Sequence, residues 1–245
     1  MNWTQSKIPG WTGVLVFAML CTTLALHQRA LIAMTWEVAI NKMSRRHTVG
    51  QRVAQYGETV RERMEPFFEK AGIAWPARRI VLVGLKDERQ LEVWGEDMAK
   101  NMRLVRIYPV LGASGKLGPK LHEGDGQVPE GIYAIESLNP NSAYHLSLRV
   151  GYPNAFDQER AKEDGREQLG GDIMIHGRTA SAGCLAMGDE AAEDLFVMAA
   201  LVGPSNVEVV LAPCDLRITQ PQLPDDPPAW INQLYKRLET KLKNF

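Results

Sequence analysis

A histidine and a cysteine, His176 and Cys184, stand eight residues apart in the chain, and each is next to a glycine. A thiol becomes a nucleophile when a base removes its proton, and imidazole suits that role near neutral pH. Gly183 carries no side chain, so we expect its backbone N–H and that of Cys184 to be unobstructed and able to hold a developing oxyanion. Cys184, His176, Gly177 and Gly183 therefore form a candidate site for acyl transfer.

The surrounding residues predict how this pair is positioned. Asp172 to Ile175 is typical of a buried strand that delivers His176 at its end, and Gly177 allows a sharp turn. Apolar residues at helical spacing predict a helix over 189–202. A cysteine just ahead of a helix N-terminus feels positive potential, so we expect the pKa of Cys184 to be lowered and its thiolate favoured.

The motif His-Gly, a short loop, then Ser-x-Gly-Cys-apolar-x-Met resembles the active-site signature of the L,D-transpeptidase (YkuD-type) catalytic domain family. In this chain it runs from His176 to Met187. The short spacing, and Ala186 where many members have arginine, make the chain most similar to the YafK branch of that family.

Four upstream segments extend the resemblance over about residues 78–215. Val128-Pro-Glu-Gly-Ile-Tyr133 is similar to a family turn, with Val128 in place of threonine, and Val105 to Gly112 resembles an early strand that leads to a glycine. Segments 114–120 and 138–145 are similar to stretches typical of the YafK branch.

The fold that the resemblance implies is mainly β with flanking helices (α+β), and the pattern of apolar residues agrees with it. Short strands are predicted at 80–83, 91–94, 105–110, 131–135, 144–150, 173–175 and 207–211. The chain divides into a membrane anchor or signal segment (1–28), a linker with an amphipathic helix (29–76), the catalytic domain (77–215), and a Pro-rich linker with a C-terminal helix (216–245). We expect the helix that contains Val53, Tyr56 and Val60 to pack on the domain rather than act as a spacer.

The resemblance also implies a reaction. The thiolate of Cys184, with its proton held by His176, attacks the carbonyl of the third-position diamino acid of a peptidoglycan stem peptide, and D-alanine leaves. The carbonyl of Gly177 orients the imidazole, and no metal or organic cofactor takes part. The thioester then passes to an amine. Two alternatives stay open: hydrolysis of the diaminopimelate-to-lysine amide that links a lipoprotein to peptidoglycan, and a non-catalytic peptidoglycan-binding protein.

Five further residues are candidates for contact with the substrate. Arg178, Lys116 and Lys120 could bind peptide carboxylates. Ser181 could touch the substrate or bond within the loop, and alternation in the strand places His145 on a face that either lines a cleft or is solvated.

Cys184 also has two competing interpretations. In an oxidising compartment it could form a disulfide with Cys214. A zinc site built from His145, His176, Cys184 and Cys214 is the other alternative, although their spacing matches no standard pattern of ligands.

The N-terminus predicts contact with a membrane. Residues Ile8 to Leu26 carry no charge and would span roughly 28 Å as a helix, close to the hydrocarbon thickness of a bilayer. An uncleaved inner-membrane anchor is the favoured interpretation, and a cleaved signal ending near Ala25 competes with it. Lys and Arg after the span would place the C-terminal side in the cytoplasm by charge counting. Peptidoglycan chemistry instead requires a periplasmic or extracytoplasmic location, which we expect.

Composition adds limits on the class of protein. The chain has 245 residues, is 45% hydrophobic and carries a formal net charge of −1. It is long enough for one core-bearing domain with appendages, and its balance of charge argues against a nucleic-acid partner.

Overall fold

Four helices and eight strands make up the part of the chain that the structure describes, residues 46–245 and Gln28 of a computed structural model. The strands are β1 (Ile80–Leu85), β2 (Gln90–Glu96), β3 (Met102–Pro109), β4 (Gly131–Ser142), β5 (His145–Val150), β6 (Met174–His176), β7 (Leu185–Ala186) and β8 (Val207–Ala212). The helices are α1 (Val49–Ala71), α2 (Ala155–Glu163), α3 (Asp189–Val202) and α4 (Ile231–Leu242), and a 3₁₀ turn, Pro204–Asn206, precedes β8. The prediction of a mainly β domain with flanking helices is confirmed.

The predicted membrane span, Ile8 to Leu26, lies outside the described residues. Among the helices that the structure does describe, none is both long enough and apolar enough to cross a bilayer.

The strands form one mixed sheet in the order β3-β2-β1-β8-β4-β5-β6-β7. The pairs β1/β8 and β6/β7 are parallel, and the other neighbours are antiparallel. Strand β4 joins the β3-β2-β1-β8 part of the sheet to the β5-β6-β7 part, because its first residues pair with β8 and its later residues pair with β5. The β5-β6-β7 end of the sheet therefore carries both His176 and the residue that follows Cys184.

Helices cover both faces of the centre of the sheet. Every residue of β1 is buried. Ile80 and Leu82 lie in the core with α1 and α3, whereas Val81 and Val83 lie in a second core with α4. A strand buried on both faces needs a continuous apolar sequence, which β1 has.

Helix α1 is defined at both ends by its own sequence. The Thr48 side chain accepts from the Gln51 N–H while the Gln51 side chain accepts from the Thr48 N–H, and Gly72 closes the helix in the left-handed conformation. Its buried residues are Val60, Met64 and Phe68. The amphipathic helix expected in this region thus packs into the core of the domain.

A buried acid connects α1, α3 and β3. The side chain of Asp194 is fully buried; it accepts from Arg63 at 2.7 and 3.0 Å and from the Tyr108 hydroxyl at 2.8 Å. Arg106 completes the group at 3.4 Å. Burial raises the pKa of Asp194, and the bonds from Arg63 and Tyr108 oppose that rise. This cluster fixes α3, the helix that follows the candidate site, against α1 and the sheet.

Candidate active site

The register of β6 and β7 places His176 and Cys184 on the same face of the sheet. Ile175 pairs with Leu185 and His176 with Ala186 in a parallel ladder, so one further step puts Cys184 opposite Met174. Strand spacing and rise then give about 8 Å between the Cα atoms of His176 and Cys184, within the combined reach of the two side chains. Ile175 and Leu185 belong to the core, so the candidate pair lies on the opposite face.

A single hydrogen bond sets the tautomer of His176. Its Nδ1 lies 2.6 Å from the carbonyl oxygen of Gly177. A carbonyl only accepts, so Nδ1 carries the proton and Nε2 carries the free lone pair. The ring is buried, and it packs on Tyr144 with 4.6 Å between ring centroids. In the neutral ring Nε2 is therefore free to accept a proton, and the Gly177 contact is the one that the resemblance implies.

Gly177 is required here by close packing. A Cβ at this position would lie 2.6 Å from Asp189 Oδ1, 2.8 Å from the carbonyl oxygen of Tyr144 and 3.0 Å from His145 Cβ. The sharp turn expected at Gly177 falls one residue later, at Arg178, whose φ is +58°. The Arg178 N–H donates to Asp189 Oδ1 at 2.8 Å, which ties the turn to the start of α3.

We expect Gly177→Ala to lower the catalytic rate about 100-fold, because an added methyl group displaces the carbonyl that orients His176. Steady-state kinetics of the acyl transfer that the resemblance implies measures the effect. Gly165→Ala is a control, since its Cβ meets no atom within 4 Å. The Gly165 φ of +68° makes this substitution strained, but the substitution does not alter the candidate site. Equal rates for Gly177→Ala and the native chain would contradict this role for Gly177.

The thiol of Cys184 is hydrogen-bonded to the backbone at the start of β6. Sγ donates to the Asp172 carbonyl oxygen at 3.7 Å and accepts from the Met174 N–H at 3.4 Å. Among the described residues it makes no hydrogen bond to His176.

The expected lowered pKa of Cys184 is wrong. The residue leads into strand β7, and α3 starts only at Asp189, so Cys184 is not at a helix N-terminus. Burial instead raises the pKa of the thiol, the Met174 N–H opposes this, the Asp172 carboxylate adds to the rise, and the Lys120 ammonium opposes it. The resting thiol is therefore neutral at pH 7.

This raised pKa predicts slow alkylation of Cys184 at neutral pH. A pKa above the ordinary value leaves a smaller thiolate fraction at pH 7 than in an exposed thiol. The alkylation rate of Cys184 should therefore continue to rise with pH above the ordinary pKa of a thiol. Iodoacetamide labelling followed by peptide mass spectrometry gives the rate at Cys184 alone, and the urea-unfolded chain serves as reference. Faster labelling of the folded chain at pH 7 would contradict the raised pKa.

The two backbone N–H groups expected to be unobstructed both have partners. Gly183 N–H donates to Ser114 Oγ at 2.5 Å, and Cys184 N–H donates to Ser181 Oγ at 3.1 Å. The Ser114 hydroxyl donates in turn to the Gly126 carbonyl, and the Ser181 hydroxyl to the Cys184 carbonyl. An oxygen atom thus already occupies the position beside Gly183 N–H that an oxyanion would take. Gly183 has φ of +102°, a conformation that favours glycine.

Sequence reasoning missed Ser114 and Tyr144 as residues of the site. Ser114 is 69 residues before Gly183, and only the Ser114–Lys120 segment, similar to a stretch of the YafK branch, pointed to its neighbourhood. Tyr144 is 45% exposed and covers His176, a contact that no sequence pattern marks.

His145 points away from the candidate pair. Its backbone has φ of +74°, which breaks the alternation expected from Tyr144 to Val150. As a result its Nε2 lies 2.9 Å from Glu193 Oε1 on α3, and its ring packs edge-on against Tyr56 of α1. The two interpretations left open for His145 were a cleft-lining and a solvated face; in this structure the residue joins β5 to two helices.

The three candidate cations differ in availability. Lys120 is 6% exposed, and its ammonium donates to Asp125 Oδ1 at 2.5 Å and to the His122 carbonyl, so its partners in this structure lie within the protein. Arg178 and Lys116 are exposed. Within residues 46–245, neither side chain pairs with an acidic group.

The surroundings of Cys184 bear on its two competing interpretations. Cys184 and Cys214 are both free thiols, and Cys214 is buried beside α4. No group of three or more His, Cys, Asp or Glu side chains within the described part of the chain is placed to hold a metal ion.

Comparison with known proteins identifies the family. The model of the L,D-transpeptidase catalytic domain (YkuD) matches residues 78–209, and this range includes the whole candidate site. The protein named "Putative L,D-transpeptidase YafK", from two strains of Escherichia coli, is 36% identical over 133 residues. That match covers 52% of this chain and 51% of the relative, so the chain spans about half the length of the curated relatives it matches.

Two solved structures are also similar in fold. The helical cell shape determining protein Pgp2 from Campylobacter jejuni has a TM-score of 0.45 at 20% identity, covering 72% of this chain and 60% of that one. Bd1075 from Bdellovibrio bacteriovorus has a TM-score of 0.43 at 18% identity, covering 71% and 59%. The family model matches more than half of the sequence, and the chain belongs to the L,D-transpeptidase catalytic domain (YkuD) family.

Proposed function

We propose that this chain is a cysteine-dependent L,D-transpeptidase that acts on peptidoglycan. Cys184 is the nucleophile and His176 is the base. The substrate is the stem peptide, acylated through the third-position diamino acid, and the acceptor is an amine of a second stem peptide. The family supports the reaction class, and the geometry of His176 supports the assignment of roles.

The observation that carries the proposal is the bond between His176 Nδ1 and the Gly177 carbonyl, on the same sheet face as Cys184. A neutral imidazole held in this way has an unprotonated Nε2, which is the form that removes a proton from a thiol.

The reaction balances with the residues present. Sγ rotates from the β6 edge towards His176 and loses its proton to Nε2 as it attacks the carbonyl carbon. The tetrahedral intermediate collapses to a thioester when the C–N bond to D-alanine breaks, and the imidazolium gives its proton to the departing amine. An acceptor amine then attacks the thioester, Nε2 takes its proton, and the thiol is regenerated.

The substrate carbonyl oxygen competes with two serine hydroxyls for the oxyanion position. Gly183 N–H and Cys184 N–H are bound by Ser114 and Ser181. Both hydroxyls must move for these N–H groups to stabilise the oxyanion, and the stabilisation is worth on the order of 100-fold in rate for each donor.

Exposed cations are the candidates for contact with the carboxylates of the substrate. Ala186 is fully buried and makes a backbone bridge with Gly112, so it offers no contact to a substrate carboxylate. We assign carboxylate contacts to Arg178 and Lys116, which are exposed.

We also propose that the domain acts on the periplasmic side of the inner membrane, held there by the N-terminal segment or exported through it.

Mass spectrometry of sacculi tests the proposal. Purified sacculi, with and without bound lipoprotein, are incubated with the full chain and with its Cys184→Ala form. New 3→3 cross-linked muropeptides that depend on Cys184 are the expected result. Release of a lipoprotein peptide without new cross-links would show that the chain catalyses hydrolysis rather than transfer to an amine. Identical profiles for the two chains would overturn the enzymatic proposal.

A further inference from the structure

Tyr144 stands over the candidate base without belonging to the buried core. Its ring centroid is 4.6 Å from that of His176, with the ring planes 37° apart. The side chain is 45% exposed. A ring as exposed as this one adds little to the stability of the core. Its ordered contact with one histidine therefore points to a role at the site.

The backbone on both sides of Tyr144 holds its ring in place. Its N–H donates to Ser142 Oγ at 3.1 Å. The next residue, His145, adopts φ of +74° and is held by Glu193 at 2.9 Å and by the ring of Tyr56. The Tyr144 carbonyl also lies so close to Gly177 that no side chain fits between them. The positive φ turns Tyr144 away from the buried face and towards His176.

We propose that Tyr144 is a positioning residue for His176. This inference rests on the proposed function, in which His176 takes the thiol proton. The Nδ1 bond to Gly177 fixes one edge of the imidazole, and Tyr144 covers one face, so the two contacts together limit rotation of the ring. Once Nε2 has accepted the proton, the ring is a cation beside a π face, an arrangement that stabilises the charged form.

The role predicts which part of the tyrosine matters. The aromatic face is the contact, and the hydroxyl makes no hydrogen bond to His176 among the described residues. Phenylalanine should therefore preserve the effect and leucine should lose it.

Kinetics of the full chain with Tyr144→Leu and Tyr144→Phe tests the inference. We expect leucine to lower kcat about tenfold with KM within about twofold, since a cation–π contact of about 1.4 kcal/mol corresponds to tenfold in rate. Phenylalanine should recover most of that loss. Either an unchanged kcat in Tyr144→Leu or a loss confined to KM would overturn the role. So would a phenylalanine variant as slow as the leucine variant.

A measurement without turnover separates this inference from the proposed function. In the NMR spectrum of the native chain, the ring protons of His176 should show an upfield displacement by the Tyr144 ring. The displacement should persist in Tyr144→Phe and in Cys184→Ala, and should vanish in Tyr144→Leu at an unchanged melting temperature. If Tyr144→Leu is unstable, Tyr144→Met gives the same comparison. Loss of cross-linking in Cys184→Ala would support the proposed function. If the His176 spectrum were at the same time unaltered in Tyr144→Leu, the role of Tyr144 would be refuted.

Discussion

Replacing Cys184 by alanine is expected to reduce cross-linking activity on the order of 10⁶-fold, the effect seen when a nucleophile is removed from a covalent catalyst. In the proposed reaction the sulfur is the atom that forms the thioester, and alanine supplies no nucleophile in its place. Chromatographic analysis of muropeptides over time measures the rate.

The other cysteine in the described part of the chain provides the matched control. Cys214 is 3% exposed in the core against α4, and burial raises its pKa to about 11. Cys214→Ala should therefore keep full activity and lose only about 1 kcal/mol of stability, through a small cavity. If Cys214→Ala were inactive while Cys184→Ala retained activity, the assignment of the nucleophile would be wrong.

Asp194→Ala is expected to lower the free energy of unfolding by about 3 kcal/mol. The mutation leaves the Arg63 and Arg106 guanidiniums partly buried without their main partner, and it leaves the Tyr108 hydroxyl without an acceptor. Breaking a buried charge cluster by removing one member costs about 3–5 kcal/mol. We take the lower end because Glu193 still contacts Arg63 at 3.2 Å. Chemical denaturation measures the change.

Two variants make this prediction specific. Asp194→Asn keeps an acceptor for Tyr108 and should lose less stability than the alanine variant. Glu65→Ala removes an exposed i,i+4 pair with Arg61 on α1, and it should leave the denaturation midpoint within error. An Asp194→Ala chain as stable as Glu65→Ala would show that the cluster does not hold α1 to α3.

Elements with strong local patterns were predictable from sequence. The helix over 189–202 has the bounds expected, because an apolar stripe and acids in its first turn mark it locally. β1 follows from its continuous apolar sequence. Helix α2 was not predicted, since only Phe156, Asp157 and Ala161 of its nine residues are buried and its capping by Asn154 gives no apolar periodicity. β7 has two residues and exists only through its pairing with β6 and Gly112.

In the candidate site, residue types were predictable and their environments were not. The His176 to Cys184 motif identifies the candidate reacting groups because spacing is a property of the sequence. The raised pKa of Cys184 depends on burial by the fold, and the Ser114 contact with Gly183 joins segments far apart in the chain. The orientations of Tyr144 and His145 follow from one positive φ, at a histidine that no turn signal marks. Tertiary contacts determine all three.

The most direct test of the account is the mass of the intact chain after brief exposure to a tetrapeptide-stem muropeptide. We predict an increase by the donor stem minus D-alanine, located on the peptide that contains Cys184. The adduct should be released by hydroxylamine, as a thioester is, and should be absent in Cys184→Ala and in His176→Gln. An adduct on another residue, or no adduct on a chain that still forms cross-links, would contradict Cys184 as the acyl carrier.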